Sequence, residues 1–228
     1  MPRAVIVVGN ELRFLRAAEN FKAYLISIGT DPIRVIRAAY RSADQLEREL
    51  SFQMLVAVGQ PLLLAYFGHG LRAGWAHAME SPAESICLGY DRLGPMLAKR
   101  KAPTVFVNEC CYAAAVIAAV EEAGADPSRL SIIAASPANQ TSYPGMADRL
   151  LESWRAGRVH APFMETTPLF PKTSWLVWLR MWWFRRKQGL KARLFPKRYP
   201  LPPPPPTRTP VCEVRWGAPL DHLFFKKP

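Results

Sequence analysis

Short, unbroken apolar runs punctuate the first part of the chain. The first, Ala4-Val5-Ile6-Val7-Val8, stops at Gly9-Asn10. Runs of this length, rich in β-branched residues and closed by glycine or polar residues, mark strands buried on both faces. Residues 62–67, 86–88, 104–107 and 130–135 are similar, mostly apolar runs, and 33–39, interrupted by Arg34 and Arg37, is read as a further strand. Between them the apolar residues fall at helical spacing. Phe14, Leu15, Ala18, Phe21, Leu25 and Ile28 form one stripe, which Gly29 ends. Ser42, with Gln45 three residues on, is a capping box that opens a helix over 43–58, and Gly59-Gln60-Pro61 breaks it. Further helices are expected over 90–101, over the alanine-rich 113–123 and over 146–156. Residues 71–84 keep neither period and are expected as a loop or hairpin overhanging the neighbouring strand ends. The alternation predicts an α/β fold, with a mostly parallel central sheet and helices on both faces.

Two of these strands end in reactive side chains. The run 104–107 passes into Asn108-Glu109-Cys110-Cys111, and the run 62–67 into Gly68-His69-Gly70. In an open parallel sheet the carboxyl ends of the strands are where ligands bind, so a thiol and an imidazole stand at corresponding, chemically useful ends. A thiol must lose its proton to attack a peptide carbonyl, an imidazole can hold and return that proton, and backbone N–H groups can stabilise the oxyanion. Alternation along the strand end puts Glu109 and Cys111 on one side and Cys110 on the other. A helix starting at Ala113 would place Cys111 near its amino terminus, which favours thiolate.

The pair His69-Gly70 and Glu109-Cys110-Cys111 resembles the marks of the caspase and legumain-like (hemoglobinase) clan of cysteine peptidases, metacaspases included. That clan carries His-Gly after one strand and an acidic or amide residue, any residue, then Cys after the next. The separation of 42 residues between His69 and Cys111 is close to the spacing of about 50 noted for caspases. The resemblance covers residues 4–157. It implies a three-layer caspase-like fold and a dyad of Cys111 as nucleophile and His69 as base. It also implies an oxyanion hole made by the N–H groups of Gly70 and Cys111. In relatives the residue at the place of Glu109 lines the first specificity pocket, so Glu109 implies cleavage after Arg or Lys. Arg16 stands near the place of an arginine in legumain-like members, and Thr141-Ser142-Tyr143 is similar to their cleft-lining Ser-Ser-Tyr. Should Arg16 and Glu109 share the pocket, they would neutralise each other and an uncharged polar residue such as Asn would suit it. The same resemblance implies one further strand, over 211–216. It implies a protein-cleaving endopeptidase, by analogy in a prokaryotic defence or cell-death pathway. The chain has Ala113-Ala114 where many members have Ser-Gly or Gly, and the other reading is a catalytically inactive caspase-fold module.

Composition narrows the rest. At 228 residues, half of them hydrophobic, the chain suits one α/β core over 1–157, a basic Trp- and Pro-rich insertion and linker over 158–210, and a returning segment over 211–228. Four cysteines, two of them adjacent, make no disulfide framework, and the first apolar run is too short for a signal-peptide core or a membrane span. A cytoplasmic protein is therefore expected. Ten of the twelve net positive charges lie in residues 171–208, which hold no Asp or Glu. There Trp175, Trp178, Leu179 and Trp182 would share one helical face, followed by Arg185-Arg186-Lys187. The stretch Trp175 to Lys187 could lie on an anionic membrane surface, stack on nucleic acid, dock on a partner protein or pack on the sheet. Of outside partners, a membrane surface or a protein is expected ahead of nucleic acid. His77, His160 and His222 show no metal spacing with Cys87 or Cys212, and the glycines form no phosphate loop or dinucleotide fingerprint, so no metal or cofactor is expected.

Overall fold

The computed structural model describes residues 2–38, 41–77, 86–139, 142, 145–156, 214–218 and 220. Its elements follow the sequence pattern closely: β1 (Arg3–Val8), α1 (Leu12–Ser27), β2 (Ile33–Arg37), α2 (Ala43–Val56), β3 (Leu62–Phe67), β4 (His69–Leu71), β5 (Gly74–Ala76), β6 (Ile86–Gly89), α3 (Tyr90–Ala98), β7 (Thr104–Glu109), α4 (Ala115–Glu122), β8 (Leu130–Ala134), α5 (Met146–Arg155) and β9 (Val214–Gly217). Six strands form one sheet in the order β2-β1-β3-β7-β8-β9. All neighbours are parallel except β9, which joins β8 antiparallel. Of the strand expected over 211–216, residues 214–216 lie in β9, at the edge of the sheet, and 211–213 lie outside the described residues.

The period of two within each strand divides the core into two layers. Val5, Val7, Leu62, Leu64, Tyr66 and Phe106 face one side, where they pack with residues of α2, α3 and α4. Ala4, Ile6, Val8, Leu63, Ala65, Phe67, Val105 and Val107 face the other, against Phe14, Phe21 and Leu25 of α1 and Leu150, Leu151 and Trp154 of α5. Helices therefore cover both faces in a three-layer α/β arrangement, and full burial of each large side chain contributes about 1.5–3 kcal/mol. Ser42 makes the capping box as read, its Oγ accepting from Gln45 N–H at 3.3 Å and its own N–H donating to Gln45 Oε1 at 3.0 Å. Gly94 lets α3 lie directly on α4, since a Cβ there would come within 2.7 Å of the Ala119 backbone.

Of the segment 71–84, the described part is a hairpin. β4 and β5 pair antiparallel and β6 adds to β5, giving a second, three-stranded sheet. Trp75 anchors it by stacking on Tyr66 at 4.2 Å. One expectation fails: Ala113 and Ala114 belong to a turn over 111–114, and α4 begins only at Ala115. The chain divides into two units, Met1–Met164 with Cys212–Pro228, and Glu165–Val211. The second unit, with the stretch Trp175 to Lys187 and the polyproline run, lies outside the described residues. Among those described, no helix is long and apolar enough to cross a membrane.

Candidate catalytic site at the strand ends

Three parallel strands finish level with one another. Val8 of β1 pairs with Phe67 of β3, and Phe67 pairs with Glu109 of β7. The alignment continues past the strands, with Gly9 N–H donating to the Phe67 carbonyl at 2.8 Å and Gly68 N–H to the Glu109 carbonyl at 3.2 Å. His69 and Cys111 therefore each lie two residues beyond a matched pair. The gap between β1 and β3 is also where the strand order reverses, with α1 leaving to one face and α2 to the other, the usual location of a binding crevice. Gly70 closes on the cysteine turn so tightly that a Cβ there would overlap the Cys111 carbonyl and come within 2.7 Å of Cys110 Sγ. Absence of a side chain at Gly70 is what allows the two strand ends to meet.

His69 is held from the α1 side. Its Nε2 pairs with Glu11 Oε1, while Glu11 Oε2 is bound by Arg13 Nε at 2.7 Å. The Phe14 ring meets the imidazole edge-on at 5.1 Å. Beneath it, the buried Tyr66 hydroxyl donates to the His69 carbonyl at 2.7 Å, fixing the backbone. Partial burial pushes the Glu11 carboxyl up, but its bond to His69 and the nearby cations outweigh this and hold it below the ordinary glutamate range. Sequence reading passed over Glu11. The signal available was position: it is the one acid in the turn after the first strand, at the reversal of strand order.

The two cysteines diverge as alternation requires. Cys110 is 1% exposed and points into the core, its Sγ 3.5 Å from Tyr90 Oη, and burial drives its thiol pKa strongly upward. Such a thiol is chemically quiet. Cys111 is half-buried at the rim, its sulfur 3.9 Å from both the carbonyl and the hydroxyl oxygen of Ser142. Among the described residues no acceptor meets the Cys111 N–H. No hydrogen bond joins His69 to Cys111. Because α4 starts at Ala115 with Ala114 as N-cap, Cys111 lies ahead of the first helical turn and outside the range in which a helix dipole acts.

Glu109 overturns the expectation of an open acidic pocket. It is 3% exposed, and its two carboxylate oxygens accept from Gly145 N–H at 3.0 Å and Ala147 N–H at 2.7 Å. The side chain caps the amino terminus of α5, which has no side-chain cap of its own. Burial raises its pKa against the pull of those two N–H groups. Arg16 is exposed, on the α1 face turned away from buried Phe14, Ala18 and Phe21, and is not brought to the site. Ser142 is at the sulfur; Thr141 and Tyr143 lie outside the described residues. Among the described residues no group of three or more His, Cys, Asp or Glu side chains could hold a metal ion.

No protein-family model and no curated protein matches the chain. A solved structure, that of Raptor from Chaetomium thermophilum, is similar over 70% of this chain and 17% of Raptor, at 14% identity and a TM-score of 0.45, a likeness too slight to bear on the chemistry.

Proposed function

We propose that the chain is a caspase-like cysteine endopeptidase acting on a protein substrate, with Cys111 as nucleophile and His69 as general base. The observation that carries this reading is the shared register of β3 and β7, which brings His69-Gly70 and Cys110-Cys111 together at one end of the sheet. With Nε2 occupied by Glu11, Nδ1 is the ring nitrogen left to take the thiol proton. The sulfur then adds to the scissile carbonyl carbon, and the oxyanion is met by the N–H groups of Cys111 and Gly70. Collapse of the adduct breaks the C–N bond as the imidazolium gives its proton to the leaving amine. Water, deprotonated by the same imidazole, releases the acyl group and restores the thiol. Glu11 stabilises the imidazolium in between, the part an acid plays behind any catalytic histidine. A reducing, cytoplasmic setting belongs to the same reading, since four cysteines with two of them adjacent suit no disulfide framework.

Because Glu109 is committed to α5, the basis for preferring Arg or Lys before the scissile bond is gone, and the assay must span charge types. The full chain is incubated with fluorogenic peptides ending in Arg, Lys, Asn or Asp, beside Cys111→Ala and His69→Ala variants. Cleavage abolished by both substitutions is the expected result; cleavage that survives Cys111→Ala would sink the reading. A second reading is favoured by one observation, that the sulfur contacts Ser142 while the imidazole is bound to Glu11. This is an inactive caspase-fold module that binds a partner or an anionic membrane through Trp175 to Lys187. Absence of any cleavage, with no labelling of Cys111 by an electrophile, would select it.

A further inference from the structure

Two buried side chains grip the Cys111 turn from both flanks. Upstream, the Cys110 thiol donates to Asn108 Oδ1 at 3.4 Å and the Cys110 carbonyl accepts from Ser136 Oγ at 3.2 Å. Downstream, the Ala113 N–H donates to Ser136 Oγ at 3.0 Å and the Ala113 carbonyl accepts from Asn108 Nδ2 at 2.9 Å. Ala114 N–H adds a bond to the Ser136 carbonyl at 3.0 Å. Asn108 is itself locked, its Oδ1 accepting from Trp75 Nε1 at 3.1 Å and its Nδ2 donating to Tyr90 Oη at 3.3 Å. Asn108 and Ser136 are 0% and 1% exposed, so neither can meet a peptide.

Between the two grips lies only Cys111-Tyr112, and its backbone is forced. Tyr112 has φ 56°, a left-handed conformation that a side chain disfavours. Ala113 and Ala114, of the residue type best suited to helix, are kept out of α4. Local preference alone would extend the helix backwards and carry Tyr112 to negative φ. That would rotate the Cys111 peptide away from Gly70.

We infer that Asn108 and Ser136 are positioning residues, which clamp the Cys111-Tyr112 turn so that the Cys111 N–H and sulfur are held ready for the substrate. The inference rests on the peptidase reading and extends it to two residues that touch no reacting atom. Ser136→Ala removes one arm while sparing the backbone bond to Ala114. Peptide turnover should then fall about tenfold or more in kcat with KM within about twofold, the split expected when alignment rather than substrate binding is lost. Ser136→Thr, which keeps the hydroxyl, should restore most of the loss. Glycine adopts the left-handed conformation freely, so Tyr112→Gly alone should keep kcat within about threefold, and Ser136→Ala/Tyr112→Gly should regain about fivefold over Ser136→Ala. A role in general stability would show no such regain. The clamp is refuted if Ser136→Ala leaves kcat unchanged, or if its loss follows the urea midpoint and Tyr112→Gly recovers none of it. Should the unmodified chain cleave no peptide, the peptidase reading fails by itself and the clamp is decided by two other measurements. These are amide exchange over residues 110–116 and the rate of Cys111 alkylation by iodoacetamide. Faster exchange and an altered alkylation rate in Ser136→Ala, reversed in Ser136→Thr, uphold the clamp; no change in either overturns it.

Discussion

Glu109 separates a capping role from a substrate-binding role by its energetics. Glu109→Ala would strand the N–H groups of half-buried Gly145 and buried Ala147, now bonded at 3.0 and 2.7 Å. Each orphaned buried donor costs about 1–3 kcal/mol. Against this, removing the ionised carboxylate recovers the desolvation cost that raises its pKa, so the two losses are partly offset. The net expectation is a loss of about 2–4 kcal/mol for alanine. In Glu109→Gln the amide oxygen can keep one N–H, while its NH2 group confronts the other donor, and about 1–2 kcal/mol should be lost. Urea unfolding of the full chain, followed by circular dichroism, measures both, and amide exchange should show α5 opening first. A loss below about 0.5 kcal/mol for Glu109→Ala would refute the cap, since substitutions that disturb nothing fall in that range. If Glu109→Gln instead kept its stability and lost only cleavage after Arg or Lys, the carboxylate would belong to the substrate pocket.

Three further outcomes follow from the same structure. Gly70→Ala should abolish turnover and lower stability by about 1–3 kcal/mol in urea, because the new methyl overlaps the Cys111 carbonyl and crowds Cys110; an active, stable variant would mean that the strand ends do not meet. The two glutamates near the site should titrate in opposite directions when followed by carbon NMR of labelled side chains. Glu11 should titrate below the ordinary value, adding stability above that value and losing it as pH falls through its own pKa. Glu109 should titrate above it, its protonated form favouring the fold, with that contribution lost as pH rises through the raised pKa; equal midpoints would contradict both environments. Ser42→Ala removes the capping-box oxygen from α2 and should cost about 1 kcal/mol in the same unfolding assay, with no effect on Cys111 alkylation.

What could be read from the chain, and what could not, divides by the range of the interactions involved. The strands were visible because burial on both faces demands apolar runs, and 62–67 and 104–107 contain little else. The start of α2 was visible because Ser42 and Gln45 satisfy each other within three residues. The opposite facing of Cys110 and Cys111 needed only the pleat. The start of α4 is not legible locally because bonds from Ser136 and Asn108, the former 22 or more residues from the turn, override the preference of Ala113 and Ala114 for helix. Glu109 reads from the sequence as a pocket residue because its partners, Gly145 and Ala147, lie 36 and 38 residues ahead. The pairing of Glu11 with His69 spans 58 residues, and its one mark in the sequence is the position of Glu11 in the turn after the first strand.

The carboxylate that holds His69 comes from the connection between β1 and α1, not from either element. Strand and helix are fixed by their neighbours in the interior, but a short exposed linker answers to few of them. Exchange of Glu11 for another acid, an amide or an apolar residue would change what holds and orients the imidazole while leaving the interior packing alone. The setting of the catalytic pair could thus be adjusted in evolution or by engineering at one position, with only the stability that the Glu11–His69 pairing contributes at stake.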